Sequence, residues 1–138
     1  MDFKFLEHTA DIKFQAFGTS IEKAFENSAL AMFNAMSNKR INARIKEEFI
    51  IDGTDLENLL YNFLEELLFL LDSKNFFVSK IKLKIIGNKK KSLVLKAKLF
   101  GDDAKKYETK MDVKAVTYNE MFIKKIGKNW VCQVVLDV

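Results

Sequence analysis

The sequence predicts an α+β fold, in which two helices pack on one or two largely antiparallel sheets of about seven or eight strands. Two segments carry apolar residues at helical spacing, and most of the remaining chain alternates between apolar and polar residues. The strands come in runs instead of alternating singly with helices, which favours antiparallel pairing. The 138 residues include no proline and five glycines, so we expect one domain over residues 1–138.

The first part of the chain is expected to form two strands and a helix. Phe3–Leu6 is short and strand-like, and residues 12–17 alternate between apolar and polar up to Gly18. Thr19 and Glu22 have the spacing of a capping box at the start of the first helix. The apolar stripe of this helix is formed by Ile21, Ala24, Phe25, Ala29, Met32, Phe33 and Met36.

A second helix is predicted to follow another capping-box spacing, Thr54 with Glu57. Two further apolar residues, Phe69 and Leu70, lie off its main apolar face, so this helix is either deeply buried or part of a contact surface. The main apolar face is formed by Leu56, Leu59, Leu60, Phe63, Leu64, Leu67, Leu68 and Leu71.

A strand and a hairpin flank the second helix in sequence. Residues 43–51 alternate as a strand does, although Glu47 interrupts the apolar face. Residues 77–85 have apolar positions alternating with lysines, and residues 93–99 return as the antiparallel partner. The turn between them, residues 87–91, is rich in lysine, which discourages pairing at a sheet edge.

The last third is expected to be mostly strand. Residues 101–110 are charged and irregular, and residues 111–117 and 121–126 alternate as two strands. Asn119 and Glu120 are predicted to form a tight turn between these strands. Residues 130–138 form the last strand.

Composition narrows the classes of function. The formal net charge is +4 with a pI of about 9.1, and the excess of lysine favours contact with RNA or an acidic partner, or reflects a compositional bias. The one cysteine, Cys132, lies in an apolar strand and is interpreted as a core residue rather than a nucleophile. The N-terminus does not resemble a signal peptide, and the longest apolar runs are too short to span a membrane. A cytoplasmic protein is expected.

Two polar features interrupt apolar strands at opposite ends of the chain. The first is residues 7–11, which contain His8, the one histidine, and Asp11. The second is Asp137, followed by Val138. Carboxylates are hard oxygen ligands suited to Ca²⁺, Mg²⁺ or Mn²⁺, yet Asp at a strand entry commonly serves only turn geometry. Spacing alone leaves both readings open.

Five segments together resemble the archease family, in order and over nearly the whole chain. FLEHTADI at residues 5–12 resembles the family's F-x-E/D-H-T-A-D opening, and AFENSA at 24–29 its A-F-E-N-A-A helix. DLENLL from residue 55 is similar to its second helix, KAVTY at 114–118 to its K-A-x-T-Y strand, and VVLDV at 134–138 to its V-x-x-D-[VI] end. Asn119 departs from the family, which usually has His there.

The resemblance implies a non-catalytic cofactor, not an enzyme. Its partner is a GTP-dependent RNA ligase that joins 3′-phosphate to 5′-hydroxyl ends in tRNA splicing, and the cofactor promotes ligase guanylylation and multiple turnover. It contacts tRNA only through the ligase, and neither membrane nor DNA is implied. The family's divalent metal, usually Ca²⁺, maps to Asp11, Asp137 and an oxygen of Val138.

Other assignments stay open at the level of sequence. His8 is a candidate to orient Asp11, and Lys114 a candidate to contact a phosphate or an acidic patch on the ligase; both are also explained as structural residues. A metal-dependent hydrolase has little acid–base machinery with a single histidine. A chaperone-like adaptor for tRNA-modifying or RNA-processing proteins is the main alternative function.

Overall fold

The structure is a computed structural model that describes residues 1–8, 10–88 and 92–138. In these ranges it contains two α-helices and seven strands, which confirms the predicted α+β class. Thr9 and the lysines of the predicted turn at 89–91 lie outside the described residues. The elements in chain order are β1 Phe3–Leu6, β2 Ile12–Gly18, α1 Ile21–Met36, β3 Ile45–Gly53, α2 Leu56–Lys74, β4 Phe76–Asn88, β5 Ser92–Asp103, a 3₁₀ turn Ala104–Lys106, β6 Ala115–Ile126 and β7 Asn129–Asp137.

The strands form two sheets in which every pairing is antiparallel. One is four-stranded in the order β1-β2-β7-β6, and the other is three-stranded in the order β3-β5-β4. The last strand, β7, therefore lies in the interior of the four-stranded sheet, next to β2. All of its residues from 131 to 136 are buried, as expected for a central strand.

One hydrophobic core joins both sheets to both helices. α1 packs mainly on β2, β4 and β7, and α2 on β6 and β3. The rings of Phe25 and Phe63 stack at 6.1 Å between the helices, and both side chains are fully buried. Burying a side chain of this size stabilises the fold by about 1.5–3 kcal/mol. The predicted apolar faces of both helices are confirmed, with Ile21, Leu56 and Leu71 partly exposed at the margins.

Both helices begin one residue later than the predicted capping boxes. The N-cap of α1 is Ser20, whose hydroxyl accepts a hydrogen bond from the Lys23 amide, and that of α2 is Asp55, which accepts from Asn58. The Thr–Glu spacings were misleading because each threonine is followed at once by an equally good capping residue.

Three predictions for the strands were wrong. β5 continues to Asp103 because β4 supplies partners as far as Phe76, and β6 begins only at Ala115 because β7 ends at Asp137, its partner. The third error was the tight turn at Asn119 and Glu120. Both halves of β6 pair with the same strand, β7, and the residues between them form a bulge.

The exposure of Phe69 and Leu70 shows whether the wide apolar surface of α2 is buried. Leu70 is buried, whereas Phe69 is 61% exposed. Only one of the two extra apolar residues therefore faces solvent. Within the described ranges, no helix is both long enough and apolar enough to cross a membrane.

Candidate functional site

The register of the four-stranded sheet brings the two polar features of the sequence to one edge. β2 and β7 pair with Ile12 opposite Leu136, so Asp11 and Asp137 are the next residues along the two adjacent strands. Because directly opposed residues project from the same face, continuing this register places Asp11 and Asp137 on one side of the sheet. Asp11 is half-buried and Asp137 exposed.

Residues of β6 complete this edge. Ala115 pairs with Asp137, and the Lys114 amide donates a hydrogen bond of 2.8 Å to the Asp137 carbonyl oxygen. The Lys114 residue is exposed, and Val138, which follows β7, is half-buried. The structure thus places Asp11, Asp137, Val138 and the Lys114 backbone at the same end of the sheet.

A bulge in β6 supplies a further acidic residue that the sequence did not reveal. Thr117 pairs with Val135 and Phe122 with Gln133, so four residues of β6 stand opposite one residue of β7. Within this bulge Glu120 has a positive φ of 54°. The Gln133 side-chain amide donates 2.8 Å to the Glu120 carbonyl and accepts 2.9 Å from Gln15, which fixes the bulge over the sheet.

The Glu120 carboxylate contacts two residues of the predicted site region. One oxygen lies 2.9 Å from His8 Nε2, and the other accepts 3.1 Å from Lys13 Nζ. The hydrogen bond with His8, followed by that with Lys13, holds the pKa of Glu120 below its usual value. Sequence reasoning missed Glu120 because 112 residues separate it from His8. The only signal was its position just after the KAVTY segment.

His8 lies between Glu120 and Asp11. Its Nδ1 is 3.9 Å from Asp11 Oδ2, which is too long for a hydrogen bond, and this buried nitrogen has no hydrogen-bond partner among the described residues. The direct hydrogen bond of His8 is therefore to Glu120. Held by that bond, the imidazole edge faces the Asp11 carboxylate.

Helix α2 holds the start of β6 in place. Glu65 Oε1 accepts a 3.0 Å hydrogen bond from the Val116 amide, and Asn58 donates 2.8 Å to the Tyr118 hydroxyl. The rings of Tyr61 and Tyr118 stack with centroids 4.3 Å apart and planes 7° from parallel. These contacts give structural roles to side chains of the DLENLL and KAVTY segments. The neighbouring Asn119, exposed in the bulge, contacts Thr117 through its amide.

Backbone strain is concentrated around this site. Three non-glycine residues in the described ranges have positive φ, and one of them, Asn75, is the left-handed C-cap of α2. The other two are Ala10, with φ of 66°, and Glu120. A left-handed conformation costs an L-residue about 1–2 kcal/mol, and such residues cluster at functional sites.

The donor set fits a hard divalent cation only in part. Within the described residues, no three side chains of His, Cys, Asp or Glu form a metal-binding group. A metal site here would consist of the carboxylates of Asp11 and Asp137 with a main-chain or terminal oxygen of Val138. These are oxygen donors of the kind that Ca²⁺ and Mg²⁺ prefer, but fewer than the six to eight that Ca²⁺ takes. Water or a partner's oxygens would have to complete the coordination of a bound cation.

Cys132 takes no part in this site. It is fully buried on the helix-facing side of β7, opposite Ala16. Burial raises the pKa of its thiol to about 12, despite a hydrogen bond with Ser28. A thiol that stays protonated is a poor nucleophile, in agreement with its interpretation as a core residue.

Comparison with known proteins identifies the family. The model of the Archease protein family (MTH1598/TM1083) matches residues 3–138. Protein archease of Pyrococcus furiosus is 40% identical over 136 residues, which cover 96% of this chain and 95% of that protein. Protein archease of Sulfurisphaera tokodaii is 40% identical over 139 residues, covering 99% and 98% respectively.

Two solved structures share the fold. The solution structure of Methanobacterium thermoautotrophicum protein 1598 superposes with a TM-score of 0.82 at 35% identity and covers 99% of both chains. The crystal structure of a Thermotoga maritima protein, described as an archease and possible chaperone, gives a TM-score of 0.64 at 20% identity, covering 98% of this chain and 96% of that one. On this evidence, the chain belongs to the Archease family.

Proposed function

We propose that this protein is a non-catalytic activator of a GTP-dependent RNA ligase that joins 3′-phosphate to 5′-hydroxyl RNA ends in tRNA splicing. It promotes guanylylation of the ligase and so sustains multiple turnover. Family membership supports the proposal, since the motifs implying this partner lie in a chain 40% identical to proteins named archease. The protein acts in the cytoplasm, and its activating role requires contact with tRNA only through the ligase.

The observation that carries the proposal is the register between β2 and β7. It puts Asp11 and Asp137 at one end of one sheet, although they are 126 positions apart in the sequence (137 − 11). Two carboxylates and the Val138 carbonyl are a donor set for Ca²⁺, with Mg²⁺ or Mn²⁺ as substitutes. A cation bound there supplies positive charge to nucleotide phosphates at the ligase's active site.

The surrounding residues have positioning roles in this proposal. The Glu120 carboxylate holds His8 by a 2.9 Å hydrogen bond, and His8 in turn faces Asp11. Lys13 donates a hydrogen bond to the other carboxylate oxygen of Glu120 and helps to lower the pKa of Glu120. The exposed Lys114 is available to an acidic patch or a phosphate on the partner. Because the protein's own donors are too few for Ca²⁺, the ligase or its nucleotide supplies the remaining oxygens.

A hydrolytic activity of the protein itself has less support than the activator role. His8 is engaged with Glu120, and Cys132 is buried and protonated, so neither supplies a ready nucleophile or base. A chaperone-like adaptor is the alternative, because the T. maritima protein is described as a possible chaperone. That role requires binding to client proteins but no effect on guanylylation.

The decisive experiment measures ligase guanylylation with GTP in the presence of wild type or Asp11→Ala. We expect wild type to accelerate guanylylation and Asp11→Ala to lose at least about 90% of the stimulation, since a ligand of a charged centre is removed. The matched control is Asp2→Ala, an exposed aspartate beside the opposite end of the β1–β2 hairpin.

The outcomes separate the hypotheses. Normal stimulation by folded Asp11→Ala would exclude the carboxylate mechanism. No stimulation by wild type, together with suppressed aggregation of a tRNA-modifying enzyme, would favour the adaptor. Equal losses in Asp11→Ala and Asp2→Ala would mean that surface charge, not this site, is responsible.

A further inference from the structure

The face of the three-stranded sheet that points away from the helices is crowded with lysine. Alternation along β3, β4 and β5 buries one set of side chains and exposes the other. We call the set that points away from the helices the lysine face. It comprises the exposed residues Lys46, Lys80, Lys82, Lys84, Lys96, Lys98, Glu48, Asp52, Ile50 and Ile86, and the half-buried Val94 and Phe100.

Lysines face each other directly across the centre of this sheet. Lys82 pairs with Lys98, and Lys84 with Lys96. Directly opposed residues have Cβ atoms about 4.5–5.5 Å apart, and like charges at such positions are destabilising. An anion bound between these lysines would relieve their repulsion.

Among the described residues, acidic side chains form no ion pair with these four lysines. On the third strand, Glu48 stands opposite Lys98 but forms its ion pair, at 3.2 Å, with Lys46 of its own strand. Lys96 has Ile50 as its neighbour there. None of the four central lysines forms an ion pair with any other residue in the described part of the chain.

The excess charge of the protein is concentrated on this face. Six lysines and two carboxylates give the lysine face a formal charge of +4, which equals the formal net charge of the whole chain. The remaining surface is therefore balanced overall. Clustering of this kind is the electrostatic footprint of a polyanion-binding surface and is not explained by a uniform bias toward lysine.

The geometry of the face suits a repeating anion. A shallow depression of about 770 Å³ is lined by Glu48, Ile50, Lys82, Lys84, Lys96 and Lys98, with neighbouring parts of the strands. Lysines two positions apart on one strand are about 6.7 Å apart, and adjacent strands are about 4.8 Å apart. The cations thus form a regular grid, able to contact several consecutive phosphates.

We propose that the lysine face binds the phosphate backbone of single-stranded RNA directly, without the ligase and without reading the sequence. Lysine binds phosphate as a compact point charge, and the regular grid of cations matches the repeating charge of an RNA backbone, so we choose an RNA backbone over an acidic protein. The choice of RNA among phosphate polymers rests on the proposed function. The surface itself does not depend on it.

The test measures binding of a fluorescently labelled, unstructured RNA of about 20 nucleotides by anisotropy over a range of salt concentrations. The variant replaces the four central lysines, Lys82, Lys84, Lys96 and Lys98, with Gln. We expect at least about 10-fold weaker binding and a log K against log salt slope smaller by about 3, since each lost phosphate contact on a single strand removes about 0.7.

A control variant with the same change in net charge distinguishes RNA binding at the lysine face from non-specific attraction by the protein's net charge. It replaces four exposed lysines elsewhere, Lys39, Lys105, Lys125 and Lys128, with Gln. Equal weakening in both variants, or unchanged binding in the first, overturns the proposal. Tighter binding of a poly-glutamate of matched charge than of RNA also overturns it and assigns the face to an acidic protein.

Folding is checked on the same samples. Gln removes the repulsion between opposed lysines, so circular dichroism melting should show the variant at least as stable as wild type. The double variant Lys82→Gln/Lys84→Gln provides a second measurement, with an expected decrease of about 1.4 in the slope. No decrease in this double variant counts against the proposal. Loss of RNA binding leaves the ligase experiment unaffected, because that assay depends on Asp11.

Discussion

The four-stranded and three-stranded sheets both pack apolar residues against the helices. They differ in whether the polar side chains on their other faces are bonded to one another. In the four-stranded sheet, Gln15, Gln133 and Glu120 are linked by hydrogen bonds, and Glu120 pairs with His8 and Lys13. In the three-stranded sheet, Lys82 and Lys84 stand opposite Lys98 and Lys96, and none of these four lysines forms an ion pair with another described residue.

This difference indicates two kinds of interaction surface. Gln15, Gln133 and Glu120 are hydrogen-bonded to one another or to neighbouring side chains, so they can hold His8 and its surroundings in a fixed geometry. The four central lysines of the lysine face have no ion-pair partner in the described part of the chain, and we propose that a bound polyanion neutralises them. Removing a polar group should therefore destabilise the first sheet and stabilise the second.

The largest expected effect comes from breaking the hydrogen-bond link in the four-stranded sheet. Gln133→Ala leaves the Gln15 amide and the Glu120 carbonyl without their partner, at a site where Gln133 is 7% exposed. We expect the free energy of unfolding to fall by about 1–3 kcal/mol, measured by urea denaturation. A loss below about 0.5 kcal/mol would show that the link does not stabilise the bulge.

The ion pairs of Glu120 should give stability a pH dependence with a defined sign. The pKa of Glu120 is lowered in the folded state from its ordinary value of 4.5, so its stabilising contribution is complete above that value and is lost as the pH falls through the folded pKa. Wild type should therefore exceed Glu120→Gln in stability at pH 7, and the difference should vanish in acid.

The control for this pH dependence removes the cause of the shift. His8 makes the largest contribution to lowering the Glu120 pKa, so in a His8→Asn background the pH-dependent difference should shrink. Urea denaturation between about pH 3 and pH 7 measures both pairs of proteins. A difference that is constant across this range would contradict the assigned ion pairs.

A smaller effect of opposite sign is expected on the lysine face. Lys84→Gln removes one member of the opposed pair with Lys96 and should raise the free energy of unfolding by a few tenths of a kcal/mol at low salt. Screening should abolish the gain at about 1 M salt. Destabilisation by Lys84→Gln at low salt would mean that favourable contacts of Lys84 outweigh its repulsion with Lys96.

Sequence periodicity predicted the parts of the fold whose partners are local or repetitive. The apolar face of α2 and the β4–β5 hairpin were predicted because each repeats a period many times. The start of β6 was not, since only the length of β7 decides where pairing begins. The start of α1 was misplaced by one residue because Thr19 and Ser20 carry equivalent hydroxyls.

The candidate site was predictable only in its composition. Asp11, Asp137, Val138, His8 and Lys114 were all named from the sequence, but their proximity depends on β7 lying beside β2. Glu120 could not be found because its contact with His8 requires both that pairing and the bulge. Likewise, the lysines of β4 were evident as an exposed row, but their opposition to those of β5 depends on the hairpin register.

The most direct test of the account is whether Asp11 and Asp137 act on one cation. Calorimetric titration with Ca²⁺ of wild type, Asp11→Asn, Asp137→Asn and the double variant forms a double-mutant cycle. We predict at least about 10-fold weaker binding for each single variant, with the double variant losing clearly less than the sum of the two free-energy changes. Strictly additive losses, or affinities no different from wild type, would contradict a shared site.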